Sequence, residues 1–431
     1  MNIKLSNADK FLTEEFHLYY HIYHNHLQQV QSLHKSKPRF AQAAARLQAI
    51  IEAKKHNNQL LQQIMEALRP HAKIDHLMAL QAKQKAWRGQ NNAHAYLKDF
   101  RYMMRDWCAL PEGESQVFQI IEGLKEQTAK FSPDQQAILF LGAGMGRIAF
   151  EHTTLFEKVY ALDKSFSMVY HFNKLLQQNI EFYEINEFNV LKPENSSRKL
   201  TASIQNASPE ALIHKDRFEY FVGDATELPF EDGALSCITS VYFTDVIALQ
   251  LYFEELKRAL KIGGLFIHFG PLDYFFSDRA EMLSAVEFRE EFENNGFETL
   301  YEKEIELPHM ATSQIMSRRL YNNWFFIARK TKDCARGVDL EGVYAIDKSV
   351  YIQERRPFGT EDPVAVELIN KEGIVFEGAG SILPILEILD GQLDLKAVMR
   401  IIQQEYQLSD QDELKGIFDL LLEKGFIQKV S

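Results

Sequence analysis

The run Leu139-Phe-Leu-Gly142-Ala-Gly144-Met-Gly146-Arg147 puts three glycines at alternate positions directly after a short apolar segment, 137–141. A glycine turn between a buried strand and a helix lets the backbone approach a ligand and aims helix N-terminal N–H groups at it. The dinucleotide-binding turn, G-x-G-x-x-G, requires a small residue where Arg147 stands, which disfavours a pyrophosphate ligand. A G-x-G-x-G turn suits a ligand lacking phosphates there, such as the amino-acid end of S-adenosylmethionine (SAM).

On either side of this turn the texture is that of an α/β protein. Apolar runs lie at 137–141, 159–163, 218–224, 235–243 and 265–270, each ending in Gly or Asp or followed by one within two residues. Helical stretches separate most of them, the rhythm of a parallel, doubly wound, Rossmann-like sheet. Two late strands, near 299–307 and 324–329, close it. Segment 184–216, with its PENSSRK and QNASPE stretches, reads as an exposed loop or a lid over a site. Before residue 95 glycine is nearly absent and apolar positions recur at helical spacing, predicting two or three helices. Nine of the 14 histidines fall there, and His17, His21 and His24 share one helical face. No carboxylate or cysteine completes a ligand set, so a solvated amphipathic face is expected and no metal site. After residue 332 come a β-hairpin at 342–356, a strand pair at 364–376, and helices at 381–389, 395–406 and 411–424. The expected domains are therefore 1–95, 96–332 and 333–431.

Acids at strand ends sharpen the chemistry. Asp163 ends the second strand, where a carboxylate can accept two ribose hydroxyls, and Asp224 ends the third, where it or the Ala225 backbone can meet an adenine edge. Either acid alone could be a helix N-cap. In register with the glycine turn, at the carboxyl ends of successive strands, they favour a nucleoside site. Asp245 follows the fourth strand. It could hold one N–H of an imidazole or amine so that an unprotonated nitrogen faces a methyl donor, or it could cap a helix over 246–261.

Composition narrows the partners. The 431 residues carry 48 basic and 60 acidic side chains, a net charge of −12, which argues against a nucleic-acid partner bound by bulk positive charge. Cys108, Cys237 and Cys334 are scattered, so neither a disulfide framework nor a thiolate zinc site is expected. No apolar run is long enough to span a membrane and the start lacks a signal-peptide core, so a cytoplasmic protein is expected.

Residues from about 95 to 330 resemble the carnosine N-methyltransferase family. The matching pieces are Arg105-Asp-Trp107, Gly142-Ala-Gly144-Met-Gly146-Arg147, Cys237 with Tyr242-Phe-Thr-Asp245, Gly263-Gly264 with Ile267-His-Phe-Gly270-Pro-Leu272, and Tyr321 with Phe326-Ile-Ala-Arg-Lys330. The resemblance implies a class I methyltransferase sheet with a helical N-terminal extension. It implies that Arg105 pairs with the SAM carboxylate, which an arginine fork does well. It also implies that Gly142, Ala143, Gly144 and Gly146 line the methionine moiety, and that Asp163, Asp224, Ala225 and Cys237 contact the cofactor. Asp245 corresponds to the acid that holds the substrate imidazole, and Tyr321 to a substrate-side tyrosine acting in catalysis. Tyr242, His268 and Phe275 are the remaining substrate-side candidates. Phe275 marks a departure, because the family carries a histidine after G-P-L and an aromatic.

The last stretch resembles the PqqD-like peptide-binding domains, through Gly373-Ile-Val-Phe, Ile382-Leu-Pro-Ile-Leu-Glu-Ile-Leu-Asp-Gly391 and Leu420-Leu-Leu-Glu-Lys-Gly425-Phe-Ile. That implies a small winged-helix-like α+β domain whose hairpin edge takes up an extended leader peptide. A winged-helix module used for packing or homodimer formation fits the same residues. Acids exceed bases on its helices, against DNA binding. The function expected is N-methylation of a histidine-like or amine nitrogen within a peptide. The alternatives are a free small acceptor, or a SAM-binding scaffold without turnover.

Overall fold

The computed structural model describes residues 3–6, 9–72, 95–111, 116–132, 134–332, 343–355, 365–370, 375–379, 383–406 and 411–430. Cys334 and parts of the PqqD-like match (Gly373, Ile374, Ile382) lie outside these residues. The chain divides into two compact units, Met1–Asp333 and Cys334–Ser431.

In the first unit the elements run β1 (Lys4–Leu5), α1 (Asp9–Lys35), α2 (Ala41–Leu68), α3 (Ala95–Trp107), α4 (Val117–Phe131), β2 (Ala137–Leu141), α5 (Arg147–Glu151), β3 (Lys158–Asp163) and α6 (Phe166–Leu175). They continue as β4 (Ile180–Ile185), β5 (Ser197–Ala202), α7 (Pro209–Ile213), β6 (Phe218–Val222), β7 (Leu235–Val241), α8 (Phe253–Ala259), β8 (Leu260–Gly270), α9 (Ala285–Asn294), β9 (Phe297–His309) and β10 (Arg319–Lys330). The main sheet has the order β1-β6-β3-β2-β7-β8-β10-β9. Neighbours are parallel from β1 through β8, and β10 pairs antiparallel with β8 and β9. This is the doubly wound Rossmann-like sheet, with its order reversing between β2 and β7, where such sheets open a ligand crevice.

β2 is apolar throughout because both its faces are covered. Ile138 and Phe140 face one core, shared with Leu61, Ile64, Trp107, Ile120 and Phe172 of the helices before and after it. Leu139 and Leu141 face the other, shared with Phe253, Leu256, Phe288 and Phe292. The N-terminal helices thus pack into the same core as the sheet, and β1 joins its edge.

Three expectations need correction. Segment 184–216 is no free lid: β4 and β5 form an antiparallel hairpin, and buried Asn57 of α2 clasps its edge. The Asn57 amide donates to the Tyr183 carbonyl and accepts the Tyr183 N–H, both at 2.8 Å. Outward Glu181 and Lys199 pair at 3.0 Å on the hairpin's exposed face. Second, the helix expected over 246–261 shrinks to a 3-10 turn, Leu249–Leu251, and α8, whose N-caps are Ala248 and Tyr252. Third, the strands expected to form a hairpin over 342–356 do not pair with each other among the described residues.

In the second unit β11 (Val343–Ile346) pairs with β15 (Asp390–Asp394) and β16 (Ile427–Lys429). β12 (Tyr351–Arg355) and β14 (Val375–Ala379) flank β13 (Ala365–Ile369) in a separate sheet. Between β11 and β12 the Asp347 carboxylate accepts the Ser349 N–H at 2.8 Å, and the Asp347 N–H donates to Phe426, sending the chain from one sheet to the other. Helices α10 (Leu383–Ile388), α11 (Leu395–Tyr406) and α12 (Gln411–Glu423) supply Leu386, Val398, Ile402 and Phe418 to this unit's core. Among the described residues no helix is long and apolar enough to cross a membrane.

Burial lowers the imidazoles of His26 and His171 to about 3 and those of His152 and His268 to about 4, from 6.5. The unfolded chain therefore takes up protons between pH 6.5 and those values that the folded chain does not, so these groups remove stability as pH falls through that window. Urea midpoints should fall steadily from about pH 7.5 to about pH 5; a constant midpoint would contradict the buried neutral histidines.

Candidate functional site

Each glycine of the turn after β2 has its own reason to be there. Gly142, at φ +58°, lies so close to Phe243 that a Cβ would stand 2.5 Å from the ring. Gly144, also at φ +58°, faces open space, with nothing within 4 Å of a would-be Cβ. Gly146 abuts Phe172 and Tyr220. The turn is fastened on every side. The Gly144 N–H donates to Asp163 Oδ2 at 2.8 Å, the Tyr220 hydroxyl donates to the Gly144 carbonyl, and the Trp107 indole donates to the Met145 carbonyl at 2.7 Å.

Arg147 is a pin rather than a ligand contact. Buried, it bonds Glu151 Oε1 at 2.9 Å, the Asp106 carbonyl at 2.9 Å and the Asn206 carbonyl, with its guanidinium 5.0 Å from the Trp107 ring centroid. The residue that breaks the dinucleotide pattern thus clamps α3, α5 and the segment after β5 together. Arg105 is buried at the same end of α3, Nε and Nη2 bonding the Asp106 carboxylate at 2.5 and 3.0 Å. Burial alone would lower its pKa, but Asp106 raises it above the ordinary arginine value.

The strand-end acids lie where expected. Asp163 ends β3, its second oxygen accepting the Ser165 N–H at 2.9 Å. Asp224 accepts the Thr226 N–H at 3.0 Å and pairs with Lys164 at 2.9 Å. Burial would raise the Asp224 carboxyl, yet these partners hold it below the usual range. Ala225 is buried beside it. Cys237 is not brought to this end. It lies inside β7 opposite Ile138, roughly 13 Å of strand before Val241 at about 3.3 Å per residue, and burial pushes its thiol up to about 12.

Beyond β7 lie the residues expected on the acceptor side. Tyr242 has the left-handed φ of +55°, a conformation costing a non-glycine residue on the order of 1–2 kcal/mol. Asp245 is buried and caps no helix; its carbonyl accepts the Phe275 N–H at 2.9 Å, and its charge acts on Tyr242, Tyr252 and Tyr274. Tyr321 donates to Asp273 at 3.3 Å and accepts from Arg319 at 2.9 Å. Phe275 is 70% exposed. His268, expected on the substrate side, is held otherwise. Fully buried, its Nε2 donates to the Gly270 carbonyl at 3.2 Å and its Nδ1 accepts from Thr244 at 3.0 Å, so both nitrogens are spent bracing the 240–245 turn.

Sequence reading missed His309, whose ring lies between Tyr242 and Tyr321 with centroids 5.2 and 4.7 Å away. Burial, with Arg105, Arg319 and Arg101 nearby, lowers its pKa to about 4, leaving a neutral imidazole. No motif marks it; only the bend at the end of β9 brings it here. At the N-terminal face His17 and His21 have Nε2 atoms 3.2 Å apart, whereas His24 packs on Tyr20. Among the described residues no three His, Cys, Asp or Glu side chains are grouped to hold a metal.

These residues fit SAM. The open space before Gly144 gives room for a chain lying on backbone, and carboxylates stand at the ends of β3 and β6 for a nucleoside. The glycines separate the two roles. Gly142→Ala collides with Phe243 in a left-handed conformation and should cost about 2–4 kcal/mol in urea unfolding. Gly144→Ala meets no neighbour and should cost about 1–2 kcal/mol; equal losses would contradict the asymmetry.

Residues 84–332 match the family model described as Carnosine N-methyltransferase. The chain is 27% identical over 251 residues to the carnosine N-methyltransferase of Mus musculus, covering 54% of this chain and 62% of that one. The same-named protein of Dictyostelium discoideum is 25% identical over 283 residues, 61% of this chain and 57% of that one. The chain thus spans about three fifths of the length of these curated relatives. Among solved structures, a SAM dependent methyltransferase from Aquifex aeolicus is similar at 16% identity and TM-score 0.30, over 49% of this chain and 97% of that one. With the family model matching more than half of its residues, this chain belongs to the carnosine N-methyltransferase family.

Proposed function

We propose that the chain is a SAM-dependent methyltransferase acting on an imidazole or amine nitrogen. The observation that carries the reading is Asp245, a buried carboxylate beyond the β2–β7 crevice that caps no helix and is ringed by tyrosines. SAM supplies an electrophilic methyl group on a sulfonium. The chain's task is alignment and proton handling. Gly142–Gly146 would hold the methionine part along the backbone, Arg105 its carboxylate, Asp163 the ribose, and Asp224 with Ala225 the adenine. Asp245 would accept one N–H of the acceptor, leaving its other nitrogen unprotonated toward the methyl group. Tyr242 and Tyr321 would line the acceptor, and the neutral His309 between them adds no positive charge against it.

The family membership supports a carnosine-like imidazole, whereas Phe275 in place of the family's histidine favours an acceptor differing from carnosine in its shell. A peptide acceptor recruited by the second unit is the finer reading. It is supported by the outer strands β12 and β14 of that unit's three-stranded sheet, which expose Tyr351, Ile352 and Val375 and could take an added strand.

Asp245→Asn should lower kcat by about 10²–10⁴-fold while S-adenosylhomocysteine affinity by calorimetry stays within about twofold. Equal loss of both would make Asp245 structural. Removing residues 333–431 should leave methylation of a short imidazole acceptor intact and abolish that of a longer precursor peptide. Unchanged activity on both acceptors would rule out peptide recruitment by the second unit.

A further inference from the structure

The contacts behind Asp163 reach a side chain that no cofactor motif contains. Glu15 on α1 accepts the Phe166 N–H at 2.8 Å, the Ser167 N–H at 3.2 Å and the Ser165 hydroxyl at 3.0 Å. The first two are leading backbone donors of α6, which a helix leaves without intrahelical partners. Ser165 occupies the N-cap position, yet its own side chain caps nothing and turns to Glu15 instead. Helix α6 is therefore capped from another helix. The same Ser165 donates its N–H to Asp163, whose other oxygen holds Gly144.

Neighbouring residues extend the grip. Tyr19, one turn along α1, donates to Asp99 of α3 at 2.5 Å and lies 2.5 Å from Ser167 Oγ. Phe11, one turn earlier, packs its ring 5.0 Å from the Lys164 ammonium that pairs with Asp224. Ser6 donates its N–H to the Val222 carbonyl at 2.8 Å, just ahead of Gly223-Asp224. The N-terminal segment thus touches both turns that carry the nucleoside acids.

We infer that Glu15 is a positioning residue for cofactor binding: by capping α6 from α1 it fixes the 163–165 turn and so aims the Asp163 carboxylate. The inference rests on the SAM reading above. An ionised carboxylate accepts from N–H groups, whereas protonation turns one acceptor site into a donor and weakens the cap. The titratable groups facing Glu15 are Asp99 of α3 and Tyr19 of α1, while the α6 side presents serine hydroxyls and backbone N–H groups. Burial, helped by Asp99, brings its carboxyl up to about 7 against the pull of its hydrogen bonds. The cap therefore tightens as pH rises through that value.

The test is calorimetry with S-adenosylhomocysteine on the full chain, wild type and Glu15→Gln, from about pH 6 to about pH 8.5. It is paired with hydrogen-exchange protection factors for amides 165–168 in the ligand-free protein. The wild type should bind several-fold more tightly at the upper pH, with protection of these amides rising in step. Glu15→Gln should bind several-fold more weakly there and show neither pH step. A variant with wild-type affinity and pH profile overturns the inference. So does a wild type whose protection is flat across the range, a result that needs no folded variant. Absence of binding by the wild type at every pH overturns the SAM reading first, and this inference with it.

Discussion

A single carboxylate, Asp163, sits where the chain's separate parts are tied together. One oxygen holds the Gly144 N–H of the glycine turn and the other holds the Ser165 N–H at the head of α6. Through Gly144 the constraint passes to Tyr220 on β6, and through the adjoining Met145 to Trp107 on α3. Through Ser165 it passes to Glu15 on α1. Three glycines in left-handed conformations would be a mobile segment in isolation, since each gains freedom by lacking a side chain. Here the freedom is removed by hydrogen bonds from side chains of three different elements, β3, β6 and α3, so the turn is shaped before any ligand arrives. Ordering done during folding need not be repeated on binding.

Much of the sheet was legible in sequence because its strands are buried on both faces, so that β2 reads as an unbroken apolar run and β7 as apolar residues interrupted only by small hydroxyl side chains. Asp163 was legible as the first polar residue after the apolar stretch of β3, and Asp224 as the acid that follows Phe-Val-Gly at the end of β6. What could not be read were partners fixed by tertiary distance. Nothing near Asn57 announces Tyr183, nothing near Val343 announces β16, and nothing near Glu15 announces α6. Cys237 shows the opposite error, a motif position followed although its depth in β7 keeps it from the strand's carboxyl end. His268 was drawn to the site by its residue type, but burial and two hydrogen bonds already account for it.

The turn beyond β7 that carries Asp245 is held by its own hydrogen-bond network. His268, Thr244 and Ser240 brace the turn from below, with Ser240 and Thr244 hydroxyls 2.7 Å apart. Tyr242, with its left-handed backbone, and the buried Asp245 both lie within this braced turn. Opposite it, the Phe275 N–H donates to the Asp245 carbonyl, a backbone bond that does not depend on the Phe275 side chain, and His309 at the end of β9 packs its ring against Tyr242. Under the proposed function, a changed side chain at Phe275 would alter which acceptor fits while leaving the backbone bond to Asp245 in place.

The short strand β1 has a consequence for how this protein comes to be made. Its partner β6 supplies Phe221 and Val222, which leave the ribosome long after Lys4 and Leu5. Until they do, the apolar side of α1, with Phe11, Leu12, Tyr19 and Ile22, has only part of the surface that finally buries it. Closing so long a loop is slow, and exposed apolar surface invites wrong partners in the interval. The segment that touches the turns of Asp163 and Asp224 is therefore synthesised well before β6 and docks fully only after it, which leaves the apolar face of α1 open to aggregation in the interval.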